Sequence, residues 1–481
     1  MGQKSKINIV LFVLLLGGGF WYLNRVFATD HKFHNTKAAF EQTIANNEVD
    51  VLFIGSSHVF TSTIPSVIDK HTKSRSFNFG SDGLRLELSS VILEEALKSC
   101  APKLVAVEIF RGSLADIETD VSKGFQLRAF DFASNTSWLK FRRCWDIYNL
   151  NELSGVYSPF LRNHKDWYKQ DYIDLDRRLE IDPYLNFFDR GYMGAYKTLN
   201  DSLSEVYKDF KIITPVVKKA ENFIKPKHIA ELELLVELSK KHDFELLLYT
   251  VPDLRYPWVN YQMYEELIAL ANKYDVRYIN QNQFYEQLDL KRSDFKDASH
   301  LNFYGALKSS NHLGQYINEY YDLPDRSSEA MWKAEQEEFN SKLVLLTEGN
   351  LLYQDSTTTA FTEQLGFKDL KLHQKLGHLQ LSLDFLPQNL SLNGAYILSV
   401  QVYPKAGKED QLAPVSQEKG RAFDNLTFRL EDLSIPFNKP LRTTIKDIER
   451  LRIFIYDSDG YKGVVGEATV INKIGSFIDI Q

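Results

Sequence analysis

The sequence predicts an α/β protein, built as a doubly wound parallel sheet followed by an all-β sandwich or jelly roll and preceded by one transmembrane helix. Apolar strands and amphipathic helices alternate from Val49 to about Tyr320, which is typical of a parallel sheet with helices on both faces. After residue 340 apolar residues recur at every second position, as in antiparallel strands. We therefore expect an anchor over residues 7–27, an α/β domain over 45–325 and a β-sandwich over 340–481.

The elements of the α/β domain follow from periodicity. Short apolar runs predict buried strands, and apolar residues at helical spacing predict the helices between them. The predicted strands cover 49–54, 76–79, 104–110, 244–251 and 276–280, and the predicted helices cover 86–98, 228–242 and 261–274.

Residues 112–227 break this alternation. The segment is rich in aromatic and charged side chains, among them Trp138, Trp145 and Trp167. An insertion after a central strand projects from the carboxyl edge of the sheet. Since aromatic faces stack on sugar rings, we expect this segment to form a helical lid or a saccharide-binding wall. The alternative is that these aromatic residues form a small core of their own. A charged segment, 326–338, is predicted as a linker or connecting helix.

Four alternating segments define the C-terminal domain. They are 379–385, 396–402, 426–430 and 451–455, and Gly, Pro, Asn and Asp turns separate them. The motif Asp457-Ser458-Asp459-Gly460 lacks the further ligands of a calcium loop, so a hairpin turn is the preferred interpretation.

The N-terminal apolar run is nearly long enough to cross a bilayer. Lys4 and Lys6 precede it and favour a cytoplasmic N-terminus, with the bulk of the chain extracytoplasmic, in the periplasm or at the cell surface. A cleaved signal peptide ending at Ala28 is the alternative. Arg25 and the bulky Phe27 make a poor cleavage region, so we favour a retained anchor.

Composition excludes some functions. A net charge of −7 and a pI near 5.9 give no basic surface for nucleic acid. The two cysteines, Cys100 and Cys144, are too few for a disulfide scaffold, and either a single pair or two buried thiols is compatible with the sequence. Neither a metal-ligand spacing nor a cofactor motif is present, so no cofactor is expected.

Two short segments carry the chemistry. Gly55-Ser56-Ser57-His58 follows the first strand, and Asp297-Ala298-Ser299-His300 follows the last strand. A serine hydroxyl becomes a nucleophile when an imidazole takes its proton, and a carboxylate must orient that imidazole. Each segment alone is more simply a helix cap or turn. Their order, at the carboxyl ends of the first and last strands, predicts a catalytic triad.

These segments resemble the SGNH/GDSL hydrolase superfamily over residues 45–320. Ser57 matches the nucleophile position, and Asp297 and His300 match the Asp-x-x-His block. Asn78-Phe79-Gly80-Ser81-Asp82-Gly83 resembles the second block, which implies Gly83, or else Gly80, as a backbone donor to the oxyanion. The third block departs from the family: Arg111-Gly112-Ser113 stands where Gly-x-Asn-Asp is usual, so Arg111 or the Ser57 backbone must complete the oxyanion hole.

This departure, with the anchor, is most similar to proteins that acylate cell-envelope polymers, including alginate and peptidoglycan O-acetylation proteins. The resemblance implies a polysaccharide acceptor, an acetyl group transferred or removed through an acyl-enzyme, and a membrane-bound O-acyltransferase as partner. The C-terminal sandwich is then a carbohydrate-binding module, and His58 is a possible substrate contact. Two alternatives stay open: a non-catalytic polysaccharide-binding or export scaffold, and a teichoic-acid D-alanylation factor.

Overall fold

The computed structural model describes most of the chain in two compact units, residues 1–339 and 340–481. The described residues are 3–27, 40, 41, 43, 44, 49–114, 130, 132, 137–168, 186–196, 224–254, 262–347, 349–356, 359–360, 365–375, 378–387, 396–430, 437–441, 443, 445, 447–457 and 474–479. The predicted insertion therefore lies partly outside them.

A five-stranded parallel sheet forms the centre of the first unit. Its strands are β1 (Val51–Gly55), β2 (Ser76–Gly80), β3 (Leu104–Glu108), β6 (Glu245–Thr250) and β7 (Arg277–Asn280). The strand order is β2-β1-β3-β6-β7, and every pair is parallel. The order reverses beside β1, so the carboxyl end of β1 faces the crevice in which open α/β sheets bind ligands.

Helices cover both faces of this sheet. Those described in the first unit are α1 (Gln3–Phe27), α2 (Ser57–Ser62), α3 (Pro65–Thr72), α4 (Leu86–Ala96), α5 (Trp138–Ile147), α6 (Leu150–Tyr157), α7 (Pro159–Arg162), α8 (Pro226–His242), α9 (Gln262–Lys273), α10 (Phe303–Tyr320) and α11 (Ala330–Thr347), the last of which continues past residue 339. Alternate residues of β1 enter different cores, since successive strand side chains point to opposite faces. Leu52 and Ile54 pack with α4, α8 and α9, whereas Val51 and Phe53 pack with α3 and α10.

A hairpin, β4 (Asn186–Asp189) and β5 (Tyr192–Ala195), packs at the edge strand β2. The Asn78 N–H donates to the Arg190 carbonyl at 3.0 Å. The Arg190 guanidinium donates to Asp69 at 2.6 Å and to Ser66 Oγ at 2.9 Å. Burial raises the pKa of Asp69 to about 7, against the opposing effect of Arg190. The hairpin therefore contributes the cation that neutralises a buried carboxylate beneath the sheet edge.

Residues 326–339 pack against the α/β unit. Arg326 donates to both carboxylate oxygens of Asp50, and Trp332 Nε1 donates to the Ser74 carbonyl at 3.0 Å. Gln336 Nε2 donates to the Ser66 carbonyl at 3.0 Å. The segment predicted as a linker or connecting helix, 326–338, thus belongs to the first unit, where buried and part-buried hydrogen bonds hold it.

The described residues of the second unit form two antiparallel sheets. Their strands are β8 (Asn350–Asp355), β9 (Thr359–Ala360), β10 (Leu365–Lys375), β11 (His378–Pro387), β12 (Tyr396–Pro404), β13 (Asp424–Leu430), β14 (Phe437–Leu441), β15 (Ile448–Asp457) and β16 (Ile474–Asp479), and a short helix, α12 (Pro414–Glu418), lies among them in the chain. The sheet orders are β14-β11-β10-β8, with β9 pairing β10, and β13-β12-β15-β16. Leucine, isoleucine and valine side chains from both sheets share one core. Residues 458–460 of the motif weighed as a calcium loop lie outside the described residues.

Candidate active site

The turn after β1 places Ser57 at the start of a helix. The Ser56 side chain accepts a hydrogen bond from the His58 N–H at 3.2 Å and so caps α2, whose first residue is Ser57. A Cβ on Gly55 would lie 2.5 Å from Val59 Cγ2 and 2.6 Å from Glu108 Cβ. Only glycine fits there, because α2 and β3 approach this backbone closely. The Ser57 side chain that follows is half-buried.

A tight loop before α10 carries the second segment. The Lys296 N–H donates to the His300 carbonyl at 3.0 Å, and the Asn302 side chain caps α10. Asp297 Oδ1 accepts the N–H groups of Ser299 and His300, at 2.9 and 3.0 Å. Asp297 therefore has two roles. Its Oδ1 accepts the backbone N–H groups that hold the loop, and both carboxylate oxygens also lie beside the imidazole ring of His300.

The structure brings Ser57, His300 and Asp297 together. Ser57 Oγ lies 2.7 Å from His300 Nε2. His300 Nδ1 lies 2.9 Å from Asp297 Oδ1 and 3.0 Å from Oδ2. With the ring proton on Nδ1, His300 donates to the carboxylate and its Nε2 accepts the serine proton. This arrangement meets the geometric requirement for a serine nucleophile with an oriented base.

Burial and charge shift the pKa values of both His300 and Asp297. Burial lowers the pKa of His300, and the hydrogen bond with Asp297 opposes this effect. Burial alone would raise the pKa of Asp297, yet the hydrogen bond and charge of His300 hold it well below its usual range. Asp297 is therefore ionised and His300 neutral near pH 7, which is the state a general base requires.

Glu108, at the end of β3, holds the turn that carries the nucleophile. Its Oε2 accepts the Ser56 N–H at 3.1 Å and the Ser56 hydroxyl at 3.0 Å. The Glu108 side chain is fully buried. A buried donor that lost its acceptor would be left unsatisfied, so these two hydrogen bonds to Glu108 fix the backbone immediately before Ser57. We did not predict this role from the sequence, although an acidic residue at the end of an apolar strand is a signal for it.

His58 is buried beside His300. Its Nδ1 lies 3.4 Å from Glu108 Oε1. Its ring centroid is 5.0 Å from that of His300 and 4.4 Å from that of Phe110. His58 thus lies between the third strand and the proposed base, where it packs the site; its predicted contact with substrate stays a prediction.

The candidate oxyanion donors differ in their availability. The Gly80 N–H donates to Asn78 Oδ1 at 2.8 Å, and a Cβ on Gly80 would lie 2.4 Å from the Phe60 nitrogen. Gly80 therefore has a packing role and its donor is engaged. Gly83 adopts a φ of 63° in the following turn, a conformation that favours glycine. The Arg111 backbone begins a short 3₁₀ helix, but its side chain lies outside the described residues.

The cysteines are distinct from this site. Cys100 and Cys144 are both free thiols, and burial raises the pKa of Cys100 to about 12, so it is a poor nucleophile. Within the described part of the chain, no group of three or more His, Cys, Asp or Glu side chains is arranged to hold a metal ion.

Comparison with known proteins gives little further information. No family model matches this chain, and no curated protein matches it. A crystal structure described as an acylhydrolase from Bacteroides fragilis aligns with 58% of this chain and 94% of its own, at 13% identity and a TM-score of 0.28. A two-domain esterase active on acetylated mannans, co-crystallised with mannopentaose, aligns with 92% of this chain and 94% of its own, at 8% identity and a TM-score of 0.28. Likeness at this level carries no argument about activity, which must be judged from the site itself.

Proposed function

We propose that this protein is a membrane-anchored, serine-dependent O-acyl esterase or acyltransferase that acts on an extracytoplasmic polysaccharide. The observation that carries the proposal is the continuous chain of hydrogen bonds from Ser57 Oγ through His300 to Asp297. A single pair at hydrogen-bond distance is common in folded proteins. A serine, a histidine and a carboxylate joined in this order at the carboxyl end of a central strand are the parts of a covalent acyl-transfer site.

The proposed reaction has two steps. His300 Nε2 takes the Ser57 proton while Oγ attacks the acyl carbonyl, and the leaving alkoxide receives that proton from His300. Water or a sugar hydroxyl then attacks the acyl-enzyme, again with His300 as base. The Ser57 and Gly83 N–H groups are the proposed oxyanion donors, in place of the third-block asparagine that is missing from the sequence.

The substrate class comes from the resemblance to envelope-polymer acylation proteins and is part of the proposal. Acetyl is the proposed acyl group, and a membrane-bound O-acyltransferase is the proposed donor partner. The second unit is the proposed carbohydrate-binding module. Whether water or a sugar hydroxyl resolves the acyl-enzyme depends on which of them reaches the ester first.

The packing of α1 supports a retained anchor. The helix is apolar, and the 22 residues Lys6–Phe27 are long enough to cross a membrane or to be a signal sequence. Its end is built into the folded unit. Asn24 Oδ1 accepts the Ser158 hydroxyl at 2.7 Å, and Asn163 Nδ2 donates to the Phe27 carbonyl at 2.8 Å. Cleavage near residue 28 would remove these contacts. A signal peptide that is cleaved off has no need of such contacts, so they favour a retained anchor.

The test uses the full chain in detergent with an acetylated oligosaccharide. We expect release of acetate, or appearance of acetyl groups on an added unacetylated oligosaccharide, and mass spectrometry distinguishes the two. Ser57→Ala is the inactive control, and Ser99→Ala, on a surface turn far from Ser57 in sequence, is the matched serine control. A wild-type protein that binds the oligosaccharide without turnover would instead support the non-catalytic scaffold.

A further inference from the structure

The exposed aromatic side chains of the first unit are concentrated beside the anchor. Seven aromatic residues outside α1 are exposed in the described part of the chain, and five of them lie between residues 138 and 168. These five are Trp138, Phe141, Trp145, Trp167 and Tyr168. Large apolar side chains rarely cluster on a surface that faces only water, so this segment has an apolar environment to meet.

Three of these residues form one stripe on α5, which we name the aromatic face. Trp138, Phe141 and Trp145 are 73%, 45% and 50% exposed and occur at positions i, i+3 and i+7, which lie on one side of a helix. Trp138 and Phe141 stack with centroids 5.3 Å apart, and Phe141 and Trp145 meet edge-on at 6.1 Å. They border a groove of about 660 Å³ whose opposite wall is α6. The side chains are therefore already ordered against one another while exposed.

The end of α1 packs against residues 158–167, which follow α5 and α6 in the chain. Trp167 stacks on Phe160 at 4.1 Å, and both rings contact Phe27. A helix that leaves a bilayer places its last turn at the headgroup level, and aromatic residues are enriched at that level. Because α7 contacts this last turn and α6 packs against both α5 and α7, the aromatic face belongs to the group of helices that meets the end of α1.

We propose that the aromatic face of α5 lies in the headgroup region of the bilayer that α1 enters, and so forms a second membrane contact beside the anchor. The nearby cations argue for insertion over electrostatic attraction. Arg142 pairs with Glu94 and Lys98 with Glu95, so the two cations beside the aromatic face already have carboxylate partners. Each aromatic side chain that leaves water accounts for roughly a tenfold factor in partitioning. The contact thus restricts the tilt of the first unit on the membrane.

The inference rests on the anchor in the proposed function and not on its chemistry. Its test uses the full chain reconstituted in phosphatidylcholine vesicles, with lipids brominated near the headgroup end of the acyl chain as quenchers. The emission of Trp138 and Trp145 is obtained by subtracting the spectrum of the double variant Trp138→Phe/Trp145→Phe, a change small enough to keep the aromatic stripe. Thermal unfolding of each variant confirms that its fold is retained.

We expect the brominated lipid to lower the difference emission at least threefold, aqueous iodide to have little effect, and added salt or phosphatidylglycerol to change neither. Trp332, which bonds the Ser74 carbonyl, is the matched control and should not respond to brominated lipid. Quenching by iodide alone overturns the proposal, as does a response only to a soluble acetylated oligosaccharide, which would assign the face to sugar stacking. Trp21 of α1 reports separately on the anchor. If Trp21 is not quenched, the proposed anchor is wrong; if Trp21 is quenched but Trp138 and Trp145 are not, only the proposed contact of the aromatic face is wrong.

Discussion

Asp297→Asn isolates the carboxylate that orients the proposed base. The amide keeps the size of the side chain but removes the charge that stabilises His300 when it becomes protonated. The carboxylate oxygens lie 2.9 and 3.0 Å from His300 Nδ1, so the charge centres are separated by roughly 4 Å. At that distance a unit-charge interaction is worth about 4 kcal/mol at an effective dielectric of 20 and about 1 kcal/mol in water.

Exposure decides between these limits. The Asp297 side chain is 46% exposed and that of His300 is 21% exposed, so solvent screens the pair partly. We therefore expect a loss of about 2–3 kcal/mol in transition-state stabilisation, or roughly 30- to 150-fold in the acylation rate constant. The assay is a single-turnover reaction with p-nitrophenyl acetate, with the exposed Asp322→Asn as matched control. A loss below about threefold, or an equal loss in the control, would refute the assignment of Asp297 to the base.

The pH dependence of kcat/KM gives a second test, because the direction in which its acidic limb moves can be predicted. Catalysis needs neutral His300, and burial lowers its pKa, so the acidic limb of kcat/KM should fall below pH 6.5. Asp297 acts in the opposite direction by stabilising the imidazolium. In Asp297→Asn the acidic limb should therefore move to still lower pH while the rate falls. A limb that moves to higher pH would contradict the electrostatic account.

The remaining predictions concern the framework of the site. Glu108→Leu leaves the Ser56 hydroxyl and N–H without their acceptor, so acylation should slow at least tenfold, with partial rescue in Glu108→Gln, and an unchanged rate would contradict the positioning role. Arg190→Ala leaves Asp69 buried without its cation and should cost about 3–5 kcal/mol of unfolding free energy in denaturant titrations, whereas the exposed Lys70→Ala should cost almost nothing; equal effects would refute the proposed structural role. A chain ending at residue 347 should retain activity on p-nitrophenyl acetate but lose action on the polymer, and inactivity on both would mean that the second unit is needed for the catalytic fold.

The sequence was sufficient for the parallel sheet because the strand and helix patterns are local, and local motifs also singled out Ser57, Asp297 and His300, whose catalytic role stays a prediction. The five strands and three helices predicted for the α/β domain begin and end within a few residues of those observed. The strand predicted to reach Phe110 ends at Glu108, where the Phe110 N–H turns to the Ser113 hydroxyl. In the second unit, alternation located β11, β12, β13 and β15, since each has one buried face.

The supporting residues could not be predicted in the same way. Glu108 meets Ser56 across 52 residues, and Arg190 meets Asp69 across 121. Such pairings depend on how the strands and the hairpin pack, which single-sequence periodicity does not encode. The distance between Ser57 and His300 likewise needed the folded sheet, although their places at strand ends indicated that they belonged together.

The central claim is that Ser57 forms the acyl-enzyme. The direct measurement is intact-mass spectrometry, followed by peptide mapping, of the full chain quenched during reaction with p-nitrophenyl acetate. We expect one acetyl group per chain, located on Ser57, and none on Ser57→Ala. An adduct on Ser56, or equal labelling of wild type and Ser57→Ala, would contradict it.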